Sequence, residues 1–255
     1  MYFSLRLSAV RQAPEGESMY KRIVLKLSGE TLAPLPGSGE TGVYSPARVE
    51  DAAKMLIKVA GLGSQLVVIL GGGNIWRGRF SDEMNPVDAD QMGMLATIMN
   101  ALCCAEAVNR LGGRAKVFTA QEMTRFAELY RADKADEALI AGYIVFVAGG
   151  TGNPFFTTDT GAALRAAELK ADIVFKGTGA EGIFDKDPRK FPDAVMYKDI
   201  TYKEAIDKRL GVMDTSAFVL CMDRKVPAIR VFKMDDLNNI YRAAMGEELG
   251  TLAHM

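Results

Sequence analysis

The chain has 255 residues, 49% of them apolar and 25% charged, with a formal net charge of −1, three cysteines and a single histidine. The near-neutral balance excludes a protein that coats nucleic acid, and Cys103 and Cys104, being adjacent, exclude a disulfide framework or a Cys-x-x-Cys zinc site. His254, next to the last residue, excludes a Ser-His-Asp triad, a histidine metal centre and histidine acid–base catalysis, which leaves the chemistry to Lys, Arg, Asp and backbone amides.

Residues 1–18 read as a disordered extension before a second methionine, Met19, with residues 19–255 as one domain. No apolar run approaches the roughly 20 residues that span a bilayer. A cytoplasmic address without a membrane partner is expected.

Residues 23–27 form a buried strand turned by Ser28-Gly29. Lys26 interrupts it near its carboxyl end, where a parallel sheet places ligands. It is either a snorkelling edge residue or an anion-binding charge, and the neighbouring glycine favours the second. Residues 31–45 are a loop rich in Pro and Gly. Pro46 then opens a helix whose apolar face runs from Val49 to Ala60.

Residues 65–70 are the second strand, followed at once by Gly71-Gly72-Gly73-Asn74. Such a turn has no side-chain bulk and suits a phosphate or a sugar, with Arg77 in reach of the same anion. It is neither the dinucleotide fingerprint nor a Walker loop. Asp88-Ala89-Asp90 is expected to cap a long helix reaching about Leu111, with core-filling methionines and both adjacent cysteines buried. Asp90 is an N-cap or an acceptor for a ribose hydroxyl. A strand follows at residues 116–119, while residues 125–139 are charged and carry no assignment.

The strand at residues 143–147 enters Gly149-Gly150-Thr151-Gly152-Asn153-Pro154-Phe155-Phe156-Thr157-Thr158-Asp159, and good helix formers fill residues 161–169. The glycines let the backbone approach a ligand, and the helix N-terminus favours an anion. Thr157 and Thr158 add hydroxyls; Asp159 would orient a lysine or hold a metal. Alone, this is an ordinary β-to-α turn. Residues 172–176 are a strand ending in Lys176, and residues 177–188 a polar turn. Helices at 202–210 and 214–224 (N-capped by Asp214), a strand at 228–232 and a helix at 237–245 complete the chain. Alternating strands and helices predict a three-layer α/β/α sandwich with a mostly parallel central sheet.

Three glycine-rich strand ends then gather at one sheet edge with Lys26, Arg77, Lys176, Asp90 and Asp159. That is more anion-binding backbone than one mononucleotide needs. Phosphoryl transfer between two bound phosphates, with Mg²⁺ on the donor, explains the surplus.

Lys26-Leu27-Ser28-Gly29-Glu30, the Gly71 to Asn74 turn with Arg77-Gly78, and Asp90 with Met92-Gly93-Met94-Leu95-Ala96-Thr97 carry a further signal. With residues 150–159 and Val212-Met213-Asp214, they make the chain resemble the bacterial-type UMP kinase (uridylate kinase) family of the amino acid kinase superfamily, over residues 19–252. The resemblance implies UMP + ATP → UDP + ADP with Mg²⁺, in pyrimidine nucleotide synthesis, by a homohexamer controlled by GTP and UTP. It implies Lys26, Leu27, Ser28, Gly29, Gly73, Arg77 and Lys176 at the ATP phosphates, and Thr178, Phe184 and Asp187 on the adenosine side. Gly72, Asp90, Thr151, Gly152, Asn153, Pro154, Phe155, Phe156, Thr157 and Thr158 would hold UMP. Asp159 would sit beside Lys26 at the transferring phosphoryl, with Lys26, Arg77 and Asp159 as the catalytic set. No protein ligand to the metal is implied.

The chain departs from the family in the donor turn, where Thr-Lys-Val-Asp-Gly is replaced by Thr178-Gly179-Ala180-Glu181-Gly182. The alternatives are another amino acid kinase acting on a carboxylate or carbamate, and a nucleotide-binding regulator without turnover.

Overall fold

The computed structural model describes residues 16–77 and 84–255. Gly78 and most of the expected N-terminal extension lie outside the described residues. Ser18, the last residue of that extension, donates its backbone N–H to the Leu62 carbonyl at 3.0 Å.

In chain order the elements are β1 (Arg22–Leu27), α1 (Pro46–Ala60), β2 (Gln65–Leu70), α2 (Pro86–Arg110), β3 (Ala115–Thr119), β4 (Glu128–Leu129) and α3 (Ala132–Ile140). There follow β5 (Ile144–Ala148), α4 (Thr158–Glu168), β6 (Ile173–Thr178), β7 (Ile183–Phe184), β8 (Met196–Tyr197), β9 (Asp199–Thr201) and α5 (Tyr202–Asp207). The last are α6 (Thr215–Asp223), β10 (Ala228–Lys233), α7 (Asn238–Ala244) and β11 (Thr251–His254). Nine strands form one sheet in the order β4-β3-β5-β2-β1-β6-β10-β11-β9, and β7 pairs with β8 separately. The sheet is parallel from β4 to β10. Only β11 runs antiparallel to β10, carrying β9 with it.

The strands are apolar on both faces because helices cover both. Ile23, Leu25 and Leu27 of β1 pack with α1, α2 and α7, whereas Val24 packs with α3 to α6 on the opposite face. Two-residue alternation therefore puts Lys26 on the side of Val24. Lys26 also pairs in register with Lys176 of β6, so both lysines issue from neighbouring strands on one face. The chain leaves β1 toward β2 on one side and reaches β6 on the other. The crevice at the carboxyl ends of β1 and β6 is thus a topological switch point, where open α/β sheets hold ligands.

The expected three-layer α/β/α sandwich and its mostly parallel sheet are present. Several boundaries differ. The stretch 125–139 holds β4 and most of α3, whose buried Ala135, Ala138 and Leu139 are too small and few to give a clear periodic signal. α2 is capped at Asn85, with Pro86 at its first position, so Asp88 and Asp90 are not N-caps but lie inside the helix. Cys104 is buried but Cys103 only partly so. α2 also has an apolar 18-residue window of mean hydropathy 1.3, long enough to cross a membrane by length and composition alone. Half of that window is buried, which is the pattern of a core helix. The helix expected at 202–210 stops at Asp207. The short strands β7, β8, β9 and β11 were not foreseen, because two to four residues carry no periodic pattern.

Phe175 of β6 anchors one side of the sheet, fully buried and edge-on to Tyr20 and Phe232, with ring centroids 5.7 Å away in each case. Phe175→Ala is expected to cost about 3–5 kcal/mol in urea denaturation.

Candidate active site

Asp159 lies in the first turn of α4, whose N-cap Thr157 accepts the Asp159 backbone N–H at 3.1 Å. Its two carboxylate oxygens face two different ammonium groups. Oδ2 accepts from Lys176 Nζ at 2.5 Å, and Oδ1 is 3.3 Å from Lys26 Nζ. The three side chains are only 7–16% exposed. Burial acts to raise the Asp159 pKa, but the positive charges of Lys26 and Lys176 outweigh it and leave the carboxyl below its ordinary value. Burial and then the neighbouring Lys26 lower the pKa of Lys176, partly opposed by Asp159. With both lysines charged, the cluster carries one excess positive charge at the strand ends.

Around this cluster stand the glycine turns, and one face of α2 holds them in place. Asn100, fully buried, donates through Nδ2 to the Gly71 carbonyl at 2.7 Å and lies 2.8 Å from Asn74 Oδ1. Asn74 in turn donates to the Val43 carbonyl at 3.1 Å. Thr97, one turn earlier, accepts the Gly149 N–H at 2.9 Å and donates to its own helix at the Met94 carbonyl. Asp90 accepts the Phe155 N–H through Oδ2 at 2.6 Å. Spacings of seven and three residues set these groups on one helix face. The approach is close. A Cβ on Gly72 would lie 2.9 Å from the Gly93 carbonyl, and one on Gly29 would lie 2.2 Å from Asn74 Oδ1. The turn after β5 needs left-handed backbone at Gly149, Gly150 and Gly152, with φ of 79°, 61° and 86°. Phe155 shares this region at φ 70°, and its ring is exposed beside that of Phe156.

A cleft of about 790 Å³ opens beyond the end of β6, lined among others by Thr178, Gly179, Glu181, Phe184, Asp187 and Lys233. Several charges on its walls are paired: Lys233 with Glu181 at 2.9 Å, Arg189 with Asp187 at 3.1 Å, and Lys186 with Asp193 at 2.6 Å. The arrangement offers two anion-binding regions, the turns on one side and the cleft on the other. The lysine–aspartate cluster stands at the ends of the central strands, beside the cleft.

The sequence profile of the amino acid kinase family matches residues 21–232. The chain belongs to the amino acid kinase family. Among solved structures it is similar to the UMP kinase from Bacillus anthracis, with a TM-score of 0.85 and 33% identity over 92% of this chain and 96% of that one. The UMP kinase from Ureaplasma parvum gives 0.84 and 32% identity, covering 92% of this chain and 99% of that one. The uridylate kinase from Archaeoglobus fulgidus gives 0.68 and 27%, covering 91% and 99% respectively.

In this member of the amino acid kinase family, Lys26 and Lys176 issue from neighbouring strands and meet Asp159 in the first turn of α4. Ser28 accepts the Glu30 N–H at 3.3 Å and shapes the turn. Arg77 pairs through its guanidinium with Glu30, and its Nε donates to the Gly73 carbonyl at 3.0 Å. Asp214 stands at the N-cap of α6 but makes no side-chain cap; its carboxylate accepts the Thr157 hydroxyl instead. Asn100 and Thr97 were not foreseen as positioning residues. Their signal was present, since a buried amide in an apolar helix needs a partner.

Asp159→Asn removes the carboxylate that stands between the two ammonium groups. It is expected to destabilise the ligand-free protein by about 3 kcal/mol at neutral pH in urea denaturation. Because the folded-state pKa of Asp159 is depressed, its contribution is complete above about pH 4 and is lost as the pH falls through the folded value. The Asn variant should lack this acid-side step.

Proposed function

We propose that the chain is a nucleoside monophosphate kinase that transfers the γ-phosphoryl group of ATP to UMP, forming UDP and ADP in cytoplasmic pyrimidine nucleotide synthesis. The observation that carries this reading is the Lys26–Asp159–Lys176 cluster, which stands between glycine turns able to bind one phosphate group and a cleft able to hold a second nucleotide. The UMP kinases at 32–33% identity across 92% of the chain support the choice of acceptor.

In this reading Lys26, Leu27, Ser28, Gly29, Gly73, Arg77 and Lys176 meet the donor phosphates, and Thr178, Phe184 and Asp187 line the adenosine side. Gly72, Asp90 and residues 151–158 hold UMP. The described residues bring together no group of three His, Cys, Asp or Glu side chains, and Asp159 already faces two cations. Mg²⁺ is assigned to the phosphate oxygens of ATP, as part of the substrate. Homohexameric assembly and control by GTP and UTP belong to the same proposal. The exposed Met92, Leu95 and Met99 on one stripe of α2 support self-association.

An oxygen of the UMP phosphate attacks the γ-phosphorus, the bond to the β–γ bridging oxygen breaks, and ADP leaves with that electron pair. Lys26 and Lys176 neutralise charge on the oxygens in flight, while Asp159 holds both ammonium groups in position. No general base is needed, because the second pKa of a phosphate monoester is roughly 6 and the nucleophile is already ionised at neutral pH.

A coupled assay of ADP release with MgATP should show turnover with UMP well above that with CMP or a carboxylate acceptor. Turnover on the carboxylate alone, or nucleotide binding without any turnover, would overturn the assignment. Lys26→Ala should lower kcat by about 10²–10³ with UMP affinity little changed. The acid limb of kcat/KM should follow the titration of the acceptor phosphate, moving with a thiophosphate substrate and not with substitution of a carboxylate.

A further inference from the structure

The donor turn has no cation of its own: position 179 is glycine, with no atom within 4 Å of where its Cβ would stand. A lysine nevertheless reaches this turn from another strand. Lys233 ends β10 and pairs in register with Thr178, while Val231, two residues earlier, pairs with Lys176. Val231 and Val174 pack on the same face as Val24. Two-residue alternation therefore sets Lys26, Lys176 and Lys233 on one face of three neighbouring strands, β1, β6 and β10.

Strands lie about 4.8 Å apart and rise about 3.3 Å per residue. The backbone of Lys233 is thus one strand over from Lys176 and about 7 Å further toward the carboxyl edge. A polyphosphate running from the Lys26–Asp159–Lys176 cluster into the cleft would pass it. Lys233 is held by Glu181 at 2.9 Å and by Asp235 at 3.0 Å. Glu181 belongs to the turn itself and is 63% exposed, free to swing into solvent.

We propose that Lys233 is a donor-binding residue that supplies from β10 the positive charge missing from residues 178–182, with Glu181 as the counter-ion that a donor phosphate displaces. This rests on reading the cleft as the donor site. It goes beyond that reading by assigning a phosphate contact to a strand outside the turn, and by giving Glu181 an opposing role. Lys233 acts on the polyphosphate and not on the nucleoside. It tunes donor affinity, because the triphosphate keeps this contact before and during transfer.

Calorimetric titration with ADP and with adenosine tests the proposal without turnover. Lys233→Met should weaken ADP binding about ten-fold, the size of one charge-assisted hydrogen bond, and leave adenosine unchanged. Glu181→Gln should tighten ADP, since a competitor for Lys233 is gone. Gly179→Lys in the Lys233→Met background should recover part of the loss by restoring a cation to the turn.

If the ion pair only clamps the turn, both Lys233→Met and Glu181→Gln weaken ADP and adenosine alike, which overturns the proposal. Unaltered ADP affinity in Lys233→Met overturns it as well. Failure of the wild-type protein to bind ADP would instead remove the donor-site reading on which the proposal stands. In steady state, Lys233→Met should raise KM for ATP and spare kcat at saturation, which separates it from Lys26→Ala.

Discussion

Asp159 holds two ammonium groups from adjacent strands at a point the fold cannot leave empty. β1 and β6 pair in register at Lys26 and Lys176, so their positive charges issue side by side on one face. Two cations so close repel in a poorly solvated crevice, and the carboxylate at the start of α4 offsets that repulsion. The helix N-terminus stabilises the carboxylate in return. The balance is incomplete by design, since one carboxylate cannot neutralise two ammonium groups. The remaining charge is available to an anion. The same contacts that make the ligand-free crevice tolerable leave it attractive to phosphate.

Charge alone would not orient a substrate, and the second constraint is the ruler formed by α2. One face of this helix touches the turn after β2 through Asn100, the turn after β5 through Thr97, and the loop before α4 through Asp90. Two glycines beside these contacts have no room for a side chain: a Cβ on Gly29 would overlap Asn74 and Asn100, and one on Gly72 would overlap Gly93 and Ala96 of α2. Two turns far apart in sequence, one of them touched at two points, are thereby held at set distances by one rigid element. That is the economy a phosphoryl transfer site needs, because its rate depends on holding donor and acceptor in line.

Several charges around the cluster are quenched locally. Arg77 rests on Glu30, Arg189 on Asp187, and Lys233 on Glu181 and Asp235. Each pair is exposed enough that its ion pair contributes little stability. An anionic ligand can therefore exchange partners with such a side chain at small cost. The site is divided between a buried, fixed centre and a rim of exchangeable cations.

Local pattern was enough for much of this. Buried strands, glycine turns and the lysines at strand ends were legible because strand burial, turn chemistry and helix capping act over a few residues. The family resemblance added the expected roles of residues 150–159. The sequence did not reveal β9 and β11, since strands so short are specified by their neighbours and not by their own period. It misplaced Asp88 and Asp90 as caps of α2. It placed Asp214 at the N-cap of α6, where it stands, but not its carboxylate's bond to Thr157, because such a side chain can serve a local amide or a distant partner and only packing decides which. What the chain determined by itself was the alternation of strand and helix and the chemical inventory at each turn. The tertiary structure decided which charges meet: Asp159 with two lysines, Arg77 with Glu30, and Lys233 with a turn some fifty residues away. Such pairings depend on strand order and register, and no window of neighbouring residues encodes either.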